Sequence, residues 1–241
     1  MAFFSINGIL IVVASPGHPK TATLPTLGLL LTHRKEYRKM ILDPSRTALV
    51  LIGFQRDYFN SDGILHEVVE ESHRVSGTLA NTLAFIETFK DTDMLMVNTP
   101  IVFSELYEEL ENPIGILKTI RDVEAFKQGA PGSEVIDEIT QFGDRILTLP
   151  GKKSFNAFSN TQLGETLRER GIETLVFAGC VTSICVHATA LHAFDSGYNV
   201  VLLSDCTSSR TAIEQEFFCD NVFPLFAEVS SSKDLCSTVC S

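Results

Sequence analysis

The chain has 241 residues, of which 44% are hydrophobic and 20% charged, as in an ordinary globular protein. These proportions exclude a disordered chain, a collagen and a coiled-coil rod. The formal net charge of −11 disfavours nonspecific nucleic-acid binding, which needs a basic face. The six cysteines all lie in the last third of the chain and form no CxxC motif, which argues against a disulfide scaffold and against a zinc site. We therefore expect a reducing compartment.

Residues 1–44 are predicted to be an N-terminal extension, because turn signals and a basic cluster set them apart from the regular pattern that follows. The apolar run at 9–14 has no basic residue before it and is short for a secretory signal, so a strand or a mobile extension is expected there. No apolar run reaches the length that spans a bilayer. We therefore expect a cytoplasmic protein without a membrane partner.

From residue 45 onward, apolar runs alternate with helical patterns. Strands are predicted over 48–52, 94–97, 145–149, 174–178, 199–203 and 223–229, and helices over 67–90, 133–142, 161–170, 183–196 and 211–218. Residues 101–131 hold several Pro and Gly and are expected to form a long excursion. This alternation predicts one α/β domain over 45–229, a three-layer αβα architecture with a mostly parallel sheet, followed by a frayed tail over 230–241.

In such a sheet the ligand lies outside the carboxyl ends of the strands. The turn after the fourth predicted strand, residues 179–186, places Cys185 in the first turn of a helix. Free backbone amides and the positive end of the helix dipole favour a thiolate there. From the residues alone, a reactive nucleophile and a buried structural cysteine are both open readings. No GxGxxG or GxSxG motif is present, and the segment 151–154 lacks the first glycine of a phosphate-binding loop.

Three blocks of the sequence resemble the isochorismatase-like family of cysteine hydrolases: 48–59, 151–163, and 179–186 continuing to 204–206. The resemblance covers about 45–229. It implies the family's Rossmann-like hydrolase fold, a homo-oligomer, and hydrolysis of a small-molecule amide or a related C–N bond through a thioester. Nicotinamidases of this family hold a metal with histidines after the second strand. The corresponding residues 103–107 include no histidine, so neither a metal nor another cofactor is expected.

The resemblance also assigns roles to individual residues. The family's nucleophile falls on Cys185, and its active-site lysine falls on Lys152, with Lys153 as the runner-up. The family's cis peptide falls on the bond between Cys180 and Val181. The amides of Val181 and Cys185 are then expected to form the oxyanion hole.

One position departs from the family pattern. The aspartate that serves the family as general base and acid is replaced by Gly53. The candidate substitutes are Asp57, one helical turn later, and Glu105, with the neighbouring Glu108 and Glu109. In the alternative interpretation, in which these residues have no catalytic role, Asp57 makes local hydrogen bonds and the glutamates form a solvated face. We expect weak or absent hydrolysis of ordinary amides, and higher activity in a Gly53→Asp variant, because amide cleavage needs a positioned proton donor.

The pocket is expected to be walled by Phe54, Phe158 and the excursion over 101–128. Two other functions are open. The protein could be a catalytically impaired relative that binds a small molecule or a partner, because Gly53 offers no proton acceptor. It could instead be an isochorismatase that cleaves a vinyl ether, but that chemistry depends on a proton donor and Gly53 counts against it.

Overall fold

The structure, a computed structural model, describes residues 2–6, 9–13 and 42–238. The chain divides into two units, Met1–Lys39 and Met40–Ser241. In the first unit, strand β1 (Ala2–Ile6) pairs antiparallel with strand β2 (Ile9–Val13). The strand expected at 9–14 is therefore present, whereas the basic cluster of the extension lies outside the described residues.

Within residues 42–238, six strands form one parallel sheet in the order β5-β4-β3-β6-β7-β8. They are β3 (Thr47–Ile52), β4 (Leu95–Thr99), β5 (Leu147–Thr148), β6 (Thr174–Cys180), β7 (Asn199–Ser208) and β8 (Glu228–Ser230). The three central strands β4, β3 and β6 are buried along their whole length. Continuous apolar runs are typical of strands that helices cover on both faces, and the predicted parallel sheet is confirmed.

Helices cover both faces of this sheet. They are α1 (Arg56–Phe59), α2 (His66–Ser76), α3 (Thr78–Phe89), α4 (Gly115–Asp122), α5 (Asp137–Thr140), α6 (Leu163–Glu169), α7 (His187–Asp195), α8 (Ala212–Phe217) and α9 (Ser232–Cys236). One core lies between the sheet and α6 and α7, and a second lies between the sheet and α3, α5 and α9. The predicted three-layer architecture is thus confirmed. No helix within the described residues is long and apolar enough to cross a membrane.

Several predicted boundaries differ from those observed; the last strand, for example, is Glu228–Ser230 and not 223–229. Two of the differences have identifiable reasons. The helix expected over 67–90 is divided into α2 and α3 at Gly77, whose φ of 67° lies in the left-handed region that glycine adopts without a Cβ penalty. The tail expected to be frayed contains α9, and Leu235 of that helix is 1% exposed in the core. Burial of one leucine can stabilise such a terminal helix.

The excursion after β4 packs over the carboxyl ends of the strands. Its side chains Phe103, Tyr107 and Phe126 form a third buried cluster with residues of the strand-end turns. The buried side chain of Gln55 connects the end of β3 to this excursion. Its Oε1 accepts a hydrogen bond from the Ile101 amide at 2.9 Å, and its Nε2 donates to the Ile101 and Ser133 carbonyls at 2.8 Å. The excursion is therefore held over the end of the sheet at which the functional residues were expected.

Candidate active site

The side chains of Lys152 and Cys185 meet at the carboxyl end of the sheet. The Nζ of Lys152 lies 3.6 Å from the Sγ of Cys185, and the two residues are 1% and 7% exposed. They follow β5 and β6, which are not neighbours, since β4 and β3 lie between them. The segment after β5 lies beside the segment after β4, and Lys152 forms a parallel β-bridge with Ile101 there. The structure thus brings together the two side chains that the sequence predicted to meet.

The choice between Lys152 and Lys153, which the sequence left open, depends on which side chain points inward. Lys153 forms an ion pair with Glu109 at 2.7 Å, and both of these side chains are about one quarter exposed. Lys152 points to the sulfur instead. Successive side chains of an extended segment point to opposite sides, so one lysine lies in the site and the next lies at its rim.

The turn that carries Cys185 is anchored by a polar network. The peptide between Cys180 and Val181 is cis, as the family resemblance implied. A π-turn over Thr182–Val186 follows and leads into α7. The Thr182 hydroxyl donates a hydrogen bond of 2.6 Å to Gln215 Oε1, and Gln215 Nε2 donates to groups of β7. Sequence reasoning missed Gln215, because a glutamine inside a helical pattern gives no signal of this role.

Gly53 lies in a crowded position rather than beside an open space. It follows β3 with a φ of 74°, and a Cβ there would lie 2.6 Å from the Cys180 carbonyl oxygen and 3.0 Å from its Sγ. Both distances are shorter than ordinary contacts, and the left-handed backbone disfavours a side chain. The structure therefore indicates that Gly53→Asp strains this turn, and the higher activity expected of that variant stays a prediction. Burial raises the pKa of the Cys180 thiol well above its usual value, so this neighbouring sulfur stays protonated.

Asp57, the first candidate for the missing acid, braces the excursion. It is 7% exposed, and its Oδ2 accepts a hydrogen bond of 2.6 Å from the Phe126 amide. Burial raises the pKa of Asp57, while hydrogen bonds from the Phe126 and Ile64 amides act in the opposite direction. These contacts agree with the alternative in which Asp57 makes local hydrogen bonds and has no catalytic role.

The glutamates lie at the rim of the site. Glu105 is exposed, and Glu108 hydrogen-bonds to the Ser104 hydroxyl. Burial acts to raise the pKa of Glu109, but Lys153 and Ser104 outweigh it and bring the pKa to about 2, so this carboxylate is ionised. Between residues 42 and 238, no carboxylate forms an ion pair with Lys152. The described His, Cys, Asp and Glu side chains also form no group of three or more that could hold a metal ion.

Tyr58 is a site residue that sequence reasoning missed. It lies in α1, is 4% exposed, and packs against Phe126 with ring centroids 5.0 Å apart, in the same cluster as Cys180. Burial raises the pKa of its phenol well above the usual value, and electrostatic interaction with Cys185, Cys180 and Asp57 acts in the same direction. None of the hydrogen bonds formed within the described part of the chain uses its hydroxyl. In the sequence, a tyrosine close to an apolar run is most simply interpreted as a core residue, and for that reason Tyr58 was not predicted to belong to the site.

The two predicted wall residues do not line the site together. Phe54 is 0% exposed and stacks on Phe59 with ring centroids 5.0 Å apart, in the core between the sheet and α3. The structure therefore places this ring in that core, where a large apolar ring gains from burial, and its assignment to the pocket wall stays a prediction. Phe158 packs against His192 with ring centroids 4.6 Å apart, on the side of the sheet that α6 and α7 cover. The excursion, by contrast, covers the strand ends as expected.

Comparisons with known proteins agree with this geometry. The model of the Isochorismatase domain family matches residues 47–234. Ureidoacrylate amidohydrolase RutB of Rhizobium rhizogenes (strain K84) is 27% identical over 212 residues, which cover 82% of this chain and 85% of that protein. A cysteine hydrolase from Pseudomonas syringae pv. phaseolicola 1448A shares the fold with a TM-score of 0.72 at 17% identity, over 83% of this chain and 94% of that chain.

The structure of N-carbamoylsarcosine amidase from Thermoplasma acidophilum is also similar, with a TM-score of 0.61 at 25% identity. The match covers 78% of this chain and 96% of that chain. The region that matches the family model includes the sheet and both turns that bring Lys152 to Cys185. Since that model spans most of the sequence, the chain belongs to the isochorismatase family of hydrolases.

Proposed function

We propose that this protein is a cysteine-dependent hydrolase of a small-molecule amide or a related C–N bond. The observation that carries the proposal is the buried contact between Lys152 and Cys185. A buried ammonium is strongly destabilised without a negative partner. A Cys185 thiolate provides that partner, and a thiolate is the nucleophilic form of cysteine. In the proposed pair, Lys152 therefore stabilises the nucleophilic form of Cys185 at the carboxyl end of the sheet.

The proposed reaction has two stages. Cys185 Sγ attacks the carbonyl carbon and the amine departs, which leaves a thioester that water then hydrolyses. The amides of Val181 and Cys185 are proposed to stabilise the oxyanion that forms at each stage. The names of two similar proteins, an amidohydrolase and an amidase, support a C–N bond as the target. The low exposure of Cys185 supports a small substrate.

The competing function is a protein that binds a small molecule without turning it over, and Gly53 favours it. A panel of primary amides, N-carbamoyl amino acids and ureido acids separates the two. We expect the wild type to release ammonia or amine from at least one of them. Cys185→Ala should release none, whereas Cys236→Ala, which alters a half-buried thiol on α9, should match the wild type.

Two results would contradict the proposed hydrolase. Turnover that persists in Cys185→Ala would remove the nucleophile from the mechanism. A wild type that binds members of the panel, measured by calorimetry, but releases no product would favour the binding protein.

We also propose that copies of the chain associate through an apolar surface around α7 and α8. Phe194, Phe217 and Leu225 are 48%, 55% and 81% exposed there, and Phe194 contacts the ring of Phe226. Exposed apolar patches of this kind commonly mark interfaces. Sedimentation equilibrium should show an oligomer that Phe194→Glu weakens and Ile114→Glu, an equally drastic change on the exposed excursion, does not. A monomeric wild type would contradict this proposal.

A cytoplasmic location is proposed on the state of the cysteines. The five described cysteines are free thiols. Free thiols are typical of a reducing compartment. Fractionation of cells that produce the full chain should recover it with cytoplasmic markers, and recovery with secreted or membrane fractions would contradict the proposal.

A further inference from the structure

Hydrolysis of an amide through a thioester requires two proton transfers at the site. A proton must reach the nitrogen as the C–N bond breaks, and a proton must later leave the water that attacks the thioester. The inference below rests on the proposed function, because it concerns the group that performs both transfers.

The acidic residues are committed elsewhere. Gly53 has no side chain, and a Cβ in its place would lie 2.6 Å from a backbone oxygen. Asp57 is held by the Phe126 amide, and the ionised Glu109 is held by Lys153. The carboxylates described in the structure therefore leave Lys152 without an ion-pair partner.

Two other ionisable groups at this end of the sheet hold their protons tightly. Burial raises the pKa of Tyr58 and of Cys180 well above their usual values. Each can donate a hydrogen bond, but neither readily loses and regains a proton near neutral pH. Among the described residues, Lys152 is then the buried ionisable side chain that contacts Cys185 Sγ and remains available to transfer a proton.

We infer that Lys152 is the proton carrier of this site, acting as acid toward the leaving nitrogen and as base toward the hydrolytic water. Its Nζ lies 3.6 Å from Cys185 Sγ and is completely shielded from bulk water. Once the thiolate has bonded to the carbonyl carbon, the leaving nitrogen is two bonds from Sγ. This position brings it within reach of the ammonium.

The protons and bonds balance without a further residue. The C–S bond forms at the expense of the carbonyl π bond, and the C–N bond then breaks as a proton passes from Nζ to nitrogen. The amine departs, and Lys152 is left neutral. Water attacks the thioester carbon and gives a proton to Nζ, and the C–S bond breaks. The acid product leaves, and the thiolate–ammonium pair is restored.

The first test uses Lys152→Arg, which keeps a permanent positive charge but provides no accessible conjugate base. We expect iodoacetamide to alkylate Cys185 in this variant within about threefold of the wild-type rate, because the cation still stabilises the thiolate. Turnover of the amide should fall by about 10²-fold or more. Lys152→Met should lose both alkylation and turnover.

A p-nitrophenyl ester gives a second readout of the same variant, because its leaving group departs without protonation. We expect Lys152→Arg to release one equivalent of nitrophenolate and then stall, with the thioester on Cys185 visible by mass spectrometry. Amide turnover near the wild-type rate in Lys152→Arg would overturn the inference and leave Lys152 as an electrostatic group.

Arginine is larger than lysine, and a misfolded variant would be recognised by its circular dichroism. Lys152→Ala with added amines then replaces it. Methylamine and ethylamine should restore turnover at rates that depend on amine basicity, whereas tetramethylammonium should not. Equal rescue by tetramethylammonium would overturn the inference. A wild type that the ester does not acylate at Cys185 would instead overturn the proposed function itself.

Discussion

At the residue scale, the environment of each side chain decides its chemistry more than its type does. Lys152 and Lys153 are adjacent, yet one is 1% exposed beside a sulfur and the other pairs with Glu109 at the rim. A charge in the interior interacts far more strongly with its neighbour than a charge in water does. The same residue type therefore contacts the proposed nucleophile at one position and forms an ion pair with the excursion at the next.

The first residue-scale prediction concerns Gly53. We expect Gly53→Ala to lower the free energy of unfolding by about 2–4 kcal/mol, because it combines a left-handed backbone with a Cβ that meets a carbonyl oxygen. Gly171→Ala is the matched control, since Gly171 also has a positive φ but no atom within 4 Å of the added Cβ. Urea unfolding should show a loss of only about 1–2 kcal/mol there. Equal losses in both variants would mean that Gly53 is not crowded.

The second residue-scale prediction concerns Tyr58. Tyr58→Phe removes only the hydroxyl of a ring that shares a buried cluster with Cys180 and Val181, and we expect kcat/KM to fall about tenfold or more, as for a lost hydrogen bond to a charged group. Tyr198→Phe is the control, because Tyr198 packs against Phe158 and lies outside the cluster that holds Tyr58 and Cys180. Steady-state kinetics on the best substrate of the panel measures both. An unchanged kcat/KM in Tyr58→Phe would show that the hydroxyl contacts neither substrate nor sulfur.

At the element scale, the site is assembled from loops that different strands position. The excursion after β4 is tied to β3 through Gln55, to α1 through Asp57, and to the segment after β5 through Glu109. Each contact joins two elements that are distant in the sequence. The strand-end turns are therefore rigid enough to hold Cys185 and Lys152 in contact.

The element-scale prediction concerns the pH dependence of the Glu109 contact. The pKa of Glu109 is lowered from its usual 4.5 to about 2, so the contact stabilises the fold above pH 4.5 and this contribution disappears as the pH falls toward 2. We expect Glu109→Gln to be less stable than the wild type at pH 6, by about 1 kcal/mol or less. The difference should shrink on acidification. Urea unfolding at several pH values measures it.

Glu105→Gln is the control, because Glu105 is exposed and forms no ion pair within the described residues. Its stability should follow the wild type at every pH. A Glu109→Gln variant whose deficit stays constant down to pH 2.5 would contradict the assignment. The same variant should keep its amide turnover, because Glu109 is proposed to hold a loop rather than to carry a proton.

At the scale of the whole molecule, the fold gives the described thiols different environments. Burial raises the pKa of Cys180, Cys206, Cys219 and Cys236, that of Cys219 to about 12. Cys236, expected to be an exposed tail thiol, is half-buried on α9, and Cys240 lies outside the described residues. Cys185 alone among the described cysteines contacts a lysine ammonium.

The whole-molecule prediction follows from this sorting. We expect iodoacetamide at pH 7 to label Cys185 faster than the other four described cysteines, because thiolates and not thiols are alkylated. Peptide mapping by mass spectrometry gives the order. Lys152→Met should slow Cys185 without changing the rates at the other four. Faster labelling of Cys206 or Cys219 in the folded protein would contradict the proposed thiolate–ammonium pair.

The sequence by itself determined the architecture and the turn that carries Cys185. Continuous apolar runs and helical periods are local patterns, and they are sufficient to predict a parallel sheet with helices on both faces. The helix boundary at Gly77 was missed, and the strand predicted over 145–149 is the shorter β5, because packing with distant elements decides where such elements end.

Only the tertiary structure decided which residues act together at the site. Lys152 and Cys185 are 33 positions apart, and Gly53 and Cys180 are 127 apart, so no local period encodes their distances. The crowding at Gly53, the burial of Phe54 in the core, and the packing of Tyr58 in one cluster with Cys180 all depend on such contacts. Local patterns reflect the free energy of forming strands and helices, whereas the chemistry of a buried group depends on whichever distant residues remove it from water.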